Sequence, residues 1–254
     1  MKDVEELLQR LSDSKLTVNL AKSEFGCGTV TYLGHEIGQG RVAPVNAKVE
    51  AIASFPVPTD RRSLRRFLGM VGYYRKFCKN FAQIALPLTD LLKANVKFVW
   101  SEQCQKSFES LKRVLCHYPV LRSPDFARSF TLAIDASDEA AGAVLLQKGV
   151  EGDDVEHPVA YFSRKFDKHQ KNYFTVEKEL LALVLALQHF EVYVSSGEEP
   201  LLVYTDHNPL VFLHKMKTKN RRLLAWSLFL QEYTLEIKHI RGKDNVLADS
   251  LSRC

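Results

Sequence analysis

The pattern of apolar and polar positions in the second half of the chain predicts a domain that mixes strands and helices. Residues 130–135 alternate with the period of a strand and end on a carboxylate. A helical pattern runs from Thr175 to about Phe190, and residues 201–206 are apolar on nearly both faces, as in a central strand. The pattern also predicts strands at 141–147, 157–162 and 234–240, and helices from Pro209, from Arg222 and at 246–251.

The first half of the chain is predicted to be mainly helical. Apolar residues at helical spacing open the chain at 4–11, and a strand and turn follow at 29–37. Pro119 and Pro124 bracket a linker, where we place a domain boundary. The remaining predicted helices are 48–55, one that begins after an N-cap at Thr59, and one from the N-cap Ser101 to Leu115.

Three carboxylates are predicted to converge at one edge of the sheet. The helix between the first and fourth strands makes these strands parallel, so Asp135 and Asp206 share an edge if the strands are neighbours. Glu179 lies on an apolar row of that helix and needs a reason to be buried, whereas Glu177 complements the helix dipole near an N-cap at Thr175. Asp135 and Glu179 also have simpler explanations. Asp135 would only cap the turn, and Glu179 would lie at the surface.

Composition narrows the class of protein without identifying a partner. The chain has 254 residues, 46% of them hydrophobic, and a formal charge of +5, which is too small to imply a polyanionic partner. The five cysteines form no Cys-x-x-Cys pair, which favours reduced thiols in an intracellular protein, cytoplasmic or nuclear. The longest apolar run, Leu180 to Leu187, is far shorter than the roughly 18 residues of a membrane span, and no signal peptide is recognised.

Basic residues cluster in two places that suit a nucleic-acid backbone. Lys and Arg beside aromatic residues displace counterions from phosphates, while their aliphatic stems pack on apolar surface. The alternative is an ordinary solvated helix face or loop. The first cluster contains Arg61, Arg65, Arg66, Tyr73 and Arg75, and the second contains Lys215, Lys217, Lys219, Arg221 and Arg222.

Several motifs in one order resemble the polyproteins of gypsy-type long-terminal-repeat retrotransposons. Upstream, 30–35 (VTYLGH) resembles the primer grip of the reverse transcriptase palm, and 67–75 and 87–92 resemble its thumb and connection region. The resemblance implies a palm remnant at 1–45, a helical thumb and connection region at 46–122, and a ribonuclease H-like domain with a mixed five-stranded sheet and flanking helices at 123–254. The ribonuclease H motifs are 134–137 (IDAS), 177–182 (EKELLA), 204–210 (YTDHNPL) and 242–253 (GKDNVLADSLSR).

The resemblance implies a metal-dependent nuclease. Asp135, Glu179, Asp206 and Asp249 fall on the family's four metal-binding carboxylates, and His239 matches a histidine that assists product release. The implied cofactor is two Mg²⁺ ions, with Mn²⁺ as a substitute, because both prefer oxygen ligands. Asp135 would bridge the ions, Glu179 and Asp206 would hold the ion on the leaving-group side, and Asp249 would hold the ion that activates water.

The implied activity is hydrolysis of the RNA strand of RNA–DNA hybrids. The expected partners are such hybrids, primer-template nucleic acid and the remaining Pol polyprotein domains. The sequence contains no Tyr-x-Asp-Asp turn, so we expect no DNA synthesis by this chain alone. Two alternatives stay open, a binding remnant that does not cut and a piece of a longer RNA-directed DNA polymerase.

Overall fold

The computed structural model describes residues 2–117, 121–149, 155–195, 199–206 and 221–240. These residues form α-helices, strands and three short 3₁₀ turns. The strands are β1 (Thr29–Tyr32), β2 (His35–Gly38), β3 (Arg41–Pro44), β4 (Leu121–Arg122), β5 (Thr131–Ala136), β6 (Ala140–Lys148), β7 (Glu156–Lys165), β8 (Leu201–Thr205) and β9 (Leu235–His239). The helices are α1 (Lys2–Asp13), α2 (Asn46–Ala53), α3 (Arg61–Tyr73), α4 (Phe81–Ile84), α5 (Leu86–Asp90), α6 (Glu102–Cys116), α7 (Thr175–His189), α8 (Glu191–Val194) and α9 (Arg221–Leu230).

The first part of the chain contains a small antiparallel sheet with the strand order β1-β2-β3-β4. Its turns use positive φ angles, at Leu33 and Gly34 between β1 and β2 and at Gln39 and Gly40 between β2 and β3. The last strand, β4, pairs with β3 after the helices α2 to α6 have intervened. The sheet therefore joins both ends of the helical region.

The helix α3 forms as predicted, but its N-cap is different. Its buried residues are Leu64, Phe67 and Val71, which lie on one face of the helix. The prediction of Thr59 as the cap is wrong, because the Asp60 carboxylate accepts the Ser63 backbone N–H at 2.6 Å and the Ser63 hydroxyl faces back towards the Asp60 backbone. A sequence pattern does not distinguish two adjacent residues that both cap well.

The second sheet has five strands in the order β7-β6-β5-β8-β9. The strand β6 pairs antiparallel with both β5 and β7, whereas β8 pairs in parallel with both β5 and β9. This arrangement confirms the predicted mixed five-stranded sheet with flanking helices. It also confirms the parallel pairing of the first and fourth strands of this sheet, on which the predicted convergence of carboxylates depends.

The two faces of the five-stranded sheet pack against different helices. Leu132 and Ile134 of β5 belong to a core cluster with Leu180 and Leu183 of α7. Ala133, on the opposite face of β5, belongs to a cluster with the helices of the first half of the chain. The region boundaries proposed from sequence stay predictions. Within the described residues, no helix is long and apolar enough to cross a lipid bilayer.

Candidate metal centre

Two of the predicted carboxylates lie at the same edge of the sheet. Asp135 is the penultimate residue of β5, and Asp206 directly follows β8. The parallel register pairs Leu132 with Val203 and Ala133 with Tyr204. Because the register advances one residue at a time, Asp135 comes level with Asp206 at the carboxyl ends of both strands. The fold therefore brings together two residues that are 71 positions apart, on a sheet edge where α/β folds place their sites.

Glu179 completes the cluster from α7. Its side chain is buried, with 3% of its surface exposed, and its Oε1 accepts the Ala136 backbone N–H at 3.2 Å. Carboxylate oxygens of Asp135, Glu179 and Asp206 all lie within 4.8 Å of one another. The structure thus places Glu179 at the end of β5 and rejects the alternative of a surface position.

The electrostatics of the cluster favour a cation. The pKa of Glu179 is raised to about 8, mainly by burial and also by the charges of Asp135 and Asp206, while the hydrogen bond from Ala136 opposes the rise. Among the described residues no donor reaches the buried Oε2 of Glu179. Buried oxygens that face one another in this way suit a small, hard divalent cation, since such ions take oxygen ligands.

Glu177, two residues earlier on α7, has a more specific role than the predicted one. The N-cap of the helix is Phe174, not Thr175, and the Glu177 carboxylate accepts the Phe174 backbone N–H at 3.0 Å. Glu177 is buried and lies 3.2 Å from the Arg222 guanidinium, which stacks over the Tyr173 ring at 4.0 Å from its centroid. Glu177 therefore joins the start of α7 to the start of α9, and it is outside the carboxylate cluster.

His239, which ends β9, lies next to Asp206. The parallel register of β8 and β9 pairs it with Thr205, the residue before Asp206. Its exposed ring is 3.0 Å from the Asp206 backbone oxygen through Nε2, and this nitrogen must carry the proton because a carbonyl oxygen only accepts.

Some residues of the two predicted nucleic-acid-binding clusters are exposed, and others make hydrogen bonds within the protein. Arg65, Arg66, Arg75 and Arg221 are exposed. Arg61 donates to the backbone oxygens of Lys93 and Val96, which ties α3 to the loop after α5. The hydroxyl of the half-exposed Tyr73 donates to the Leu33 backbone oxygen. Four predicted residues lie outside the described part of the chain, namely Lys215, Lys217, Lys219 and Asp249.

The sequence patterns did not single out Lys178, which lies between the two glutamates. Its side chain is only 9% exposed, and its Nζ is 2.6 Å from the exposed carboxylate of Asp138, in the turn that follows Asp135. This ion pair joins α7 to the turn between β5 and β6. No periodic signal marks such a lysine, because its burial depends on how α7 packs on the sheet.

Comparisons with known proteins agree with this architecture. Residues 125–233 match the family described as the RNase H-like domain found in reverse transcriptase. Over its whole length the chain is 38% identical to the Transposon Tf2-3 and Tf2-4 polyproteins of Schizosaccharomyces pombe (strain 972 / ATCC 24843), and it spans 19% of their length.

Solved structures of foamy viral protease-reverse transcriptase share the fold. The structure in complex with an RNA/DNA hybrid has a TM-score of 0.74 at 22% identity, over 100% of this chain and 34% of the viral one. A structure in complex with double-stranded DNA also has a TM-score of 0.74, over 94% of this chain and 42% of the viral one. Residues 125–233 therefore match the RNase H-like domain found in reverse transcriptase, and the chain as a whole is similar to one segment of retrotransposon polyproteins.

Proposed function

We propose that the chain hydrolyses the RNA strand of RNA–DNA hybrids with two Mg²⁺ ions, for which Mn²⁺ can substitute. The observation that carries this proposal is the convergence of Asp135, Glu179 and Asp206, whose oxygens lie within 4.8 Å of one another. The match to an RNase H-like domain supports the reaction class. The hybrid bound by the foamy viral protein of the same fold supports the class of substrate.

Each carboxylate is assigned as a ligand of one or both ions. Divalent ions held by these carboxylates would supply the activation of a water and the stabilisation of the leaving oxygen in a displacement at phosphorus. Asp135 has a carboxylate oxygen within 4.8 Å of those of both Glu179 and Asp206 and is our candidate for a ligand shared by the two ions. Glu179 and Asp206 would complete the ion on the leaving-group side. Asp249 is proposed as the ligand of the other ion.

Substrate binding would use charge and the 2′-hydroxyl group. Arg65 and Arg66 are exposed on α3, and Arg221, also exposed, begins α9 next to Arg222, which contacts Glu177. These cations would contact phosphates and so bind without reading sequence. Discrimination of RNA from DNA would come from contacts to 2′-hydroxyls, which DNA lacks.

The test is a cleavage series on an end-labelled RNA–DNA hybrid with Mg²⁺ or Mn²⁺. We expect the native chain to leave 5′-phosphate and 3′-hydroxyl ends, and Asp135→Asn, Glu179→Gln and Asp206→Asn to cut no faster than background. Each amide keeps the shape of the side chain but removes the charge that a cation requires. Glu177→Gln is the matched control for Glu179→Gln, because it makes the same change at a buried position of α7 outside the cluster.

Binding of the hybrid separates this function from a non-catalytic remnant. Asp135→Asn should retain hybrid binding in a filter or fluorescence assay, because the cationic residues are unchanged. Double-stranded DNA of the same sequence should be bound but not cut. Cutting that persists in Asp135→Asn, or a Glu177→Gln variant that folds and is as inactive as Glu179→Gln, would place the site on other residues. Binding of the hybrid without cutting by the native chain would favour the remnant.

A further inference from the structure

The face of the sheet that carries Asp135 is covered by the helical region. Side chains alternate along a strand, so Asp135 shares a face of β5 with Ala133. Ala133 belongs to the same core cluster as Phe77 and Leu88, from the helical region. Val144 and Tyr161 of the neighbouring strands belong to that cluster as well. The candidate metal centre therefore adjoins a packed interface with residues that precede the RNase H-like match.

Two polar contacts fix α4 and α5 against the edge strand β7. The Ala82 backbone N–H donates to the Ser163 hydroxyl at 3.2 Å. The Lys165 ammonium is 2.6 Å from an Asp90 carboxylate oxygen. Since Ser163 and Lys165 both belong to β7, these contacts hold α4 and α5 at a defined position on the sheet.

A row of cross-strand neighbours leads from this interface to the metal centre. Asp135 pairs with Gly142 across β5 and β6, and Gly142 pairs with Ser163 across β6 and β7. Because glycine has no side chain, the row has a gap between Asp135 and Ser163. Gln83 of α4 lines a cavity in this gap, of about 10 Å³, together with Asp135, Gly142 and Ser163. That volume holds no more than about one water molecule.

We propose that Gln83 is a positioning residue for Asp135, on the basis of the metal-dependent function proposed above. Its amide offers both a donor and an acceptor in a cavity that Asp135 also lines. A donated hydrogen bond, direct or through one water, orients the Asp135 carboxylate towards a cation. Hydrogen-bond partners of metal ligands typically change metal affinity by about 10-fold to 100-fold when removed. The helical region would thus contribute to the nuclease site as well as to its core.

The primary test is Mn²⁺ binding by the full 254-residue chain, measured by titration calorimetry. Gln83→Met keeps the length of the side chain and the helical preference but removes the amide. We expect this variant to bind Mn²⁺ about 10-fold more weakly than the native chain. Gln83→Leu should behave alike, which provides a second variant if one of them fails to fold. Gln9→Met is the matched control, because Gln9 is exposed on α1.

Cleavage of the labelled hybrid gives a second, independent measurement. We expect Gln83→Met to raise the Mg²⁺ concentration for half-maximal cutting about 10-fold and to recover native activity at high Mg²⁺, with KM for the hybrid unchanged. A structural defect would instead be detected as lower stability of the metal-free variant in urea unfolding or as a changed KM for the hybrid. Native Mn²⁺ affinity in a folded Gln83→Met variant, or no Mn²⁺ binding by the native chain, would overturn the inference. Mn²⁺ binding without cutting would contradict the proposed function alone.

Discussion

Replacement of Glu179 by glutamine is expected to stabilise the metal-free protein at neutral and alkaline pH, although the residue is central to the proposed site. Carboxylate oxygens within 4.8 Å of one another repel by about 3.5 kcal/mol for each ionised pair, at an effective dielectric constant of about 20. Glu179→Gln removes the repulsion of Asp135 and Asp206 by this residue. The amide still offers an oxygen to the Ala136 backbone N–H. Without a cation, the Glu179 carboxylate must either stay ionised against this repulsion or take up a proton. Glutamine avoids both costs and keeps the hydrogen bond.

The pKa of Glu179 fixes the direction and range of the pH dependence. Its pKa in the folded protein is about 8, whereas its ordinary value is 4.5. Between these values the folded state holds a proton that the unfolded state has released, so stability falls as pH rises. One proton of difference corresponds to a slope of up to about 1.4 kcal/mol per pH unit. Below this range both states are protonated, and the contribution is constant.

The assay is urea unfolding in a chelator from about pH 5 to about pH 8, with the linkage slope as the result. The native chain should lose stability across this range more steeply than Glu179→Gln, and Mg²⁺ should restore it, most strongly at the alkaline end. Mg²⁺ should have little effect on Glu179→Gln. Glu177→Gln should instead be less stable than the native chain, because it loses a charged partner of Arg222. Parallel pH curves for the native chain and Glu179→Gln, or equal stabilisation of both by Mg²⁺, would refute this account.

Two further predictions concern the helical region. Replacement of Arg65 and Arg66 by alanine should flatten the slope of log hybrid affinity against log salt by roughly 0.9 for each lost phosphate contact, and an unchanged slope would show that they are only a solvated surface. Asp60→Ala should lower stability in urea unfolding whereas Thr59→Ala should not, because Asp60 caps α3. The Ser63 hydrogen bonds hold the pKa of Asp60 below its usual value, so the contribution of Asp60 to stability should disappear as pH falls through that pKa. Equal effects of the two alanine variants would contradict the cap.

Local patterns in the sequence determined the elements and much of the candidate site. The alternation before Asp135 predicted β5, and the apolar row of α7 indicated that Glu179 is buried, as the structure confirms. The order of strand, helix and strand predicted the parallel pairing that brings Asp206 level with Asp135. These features were predictable because periodicity and chain handedness act over a few residues or one crossover.

Only the tertiary structure decided which polar residues have partners. Glu177 and Glu179 are similar in sequence and both buried, yet one accepts a backbone N–H at the start of α7 beside Arg222 and the other faces two carboxylates. Gln83 gave no signal of its own, since its place beside Asp135 depends on the glycine at position 142 and on the packing of α4 against β7. Such contacts join residues far apart in the chain, and a local pattern carries no information about the distance between them in the folded protein.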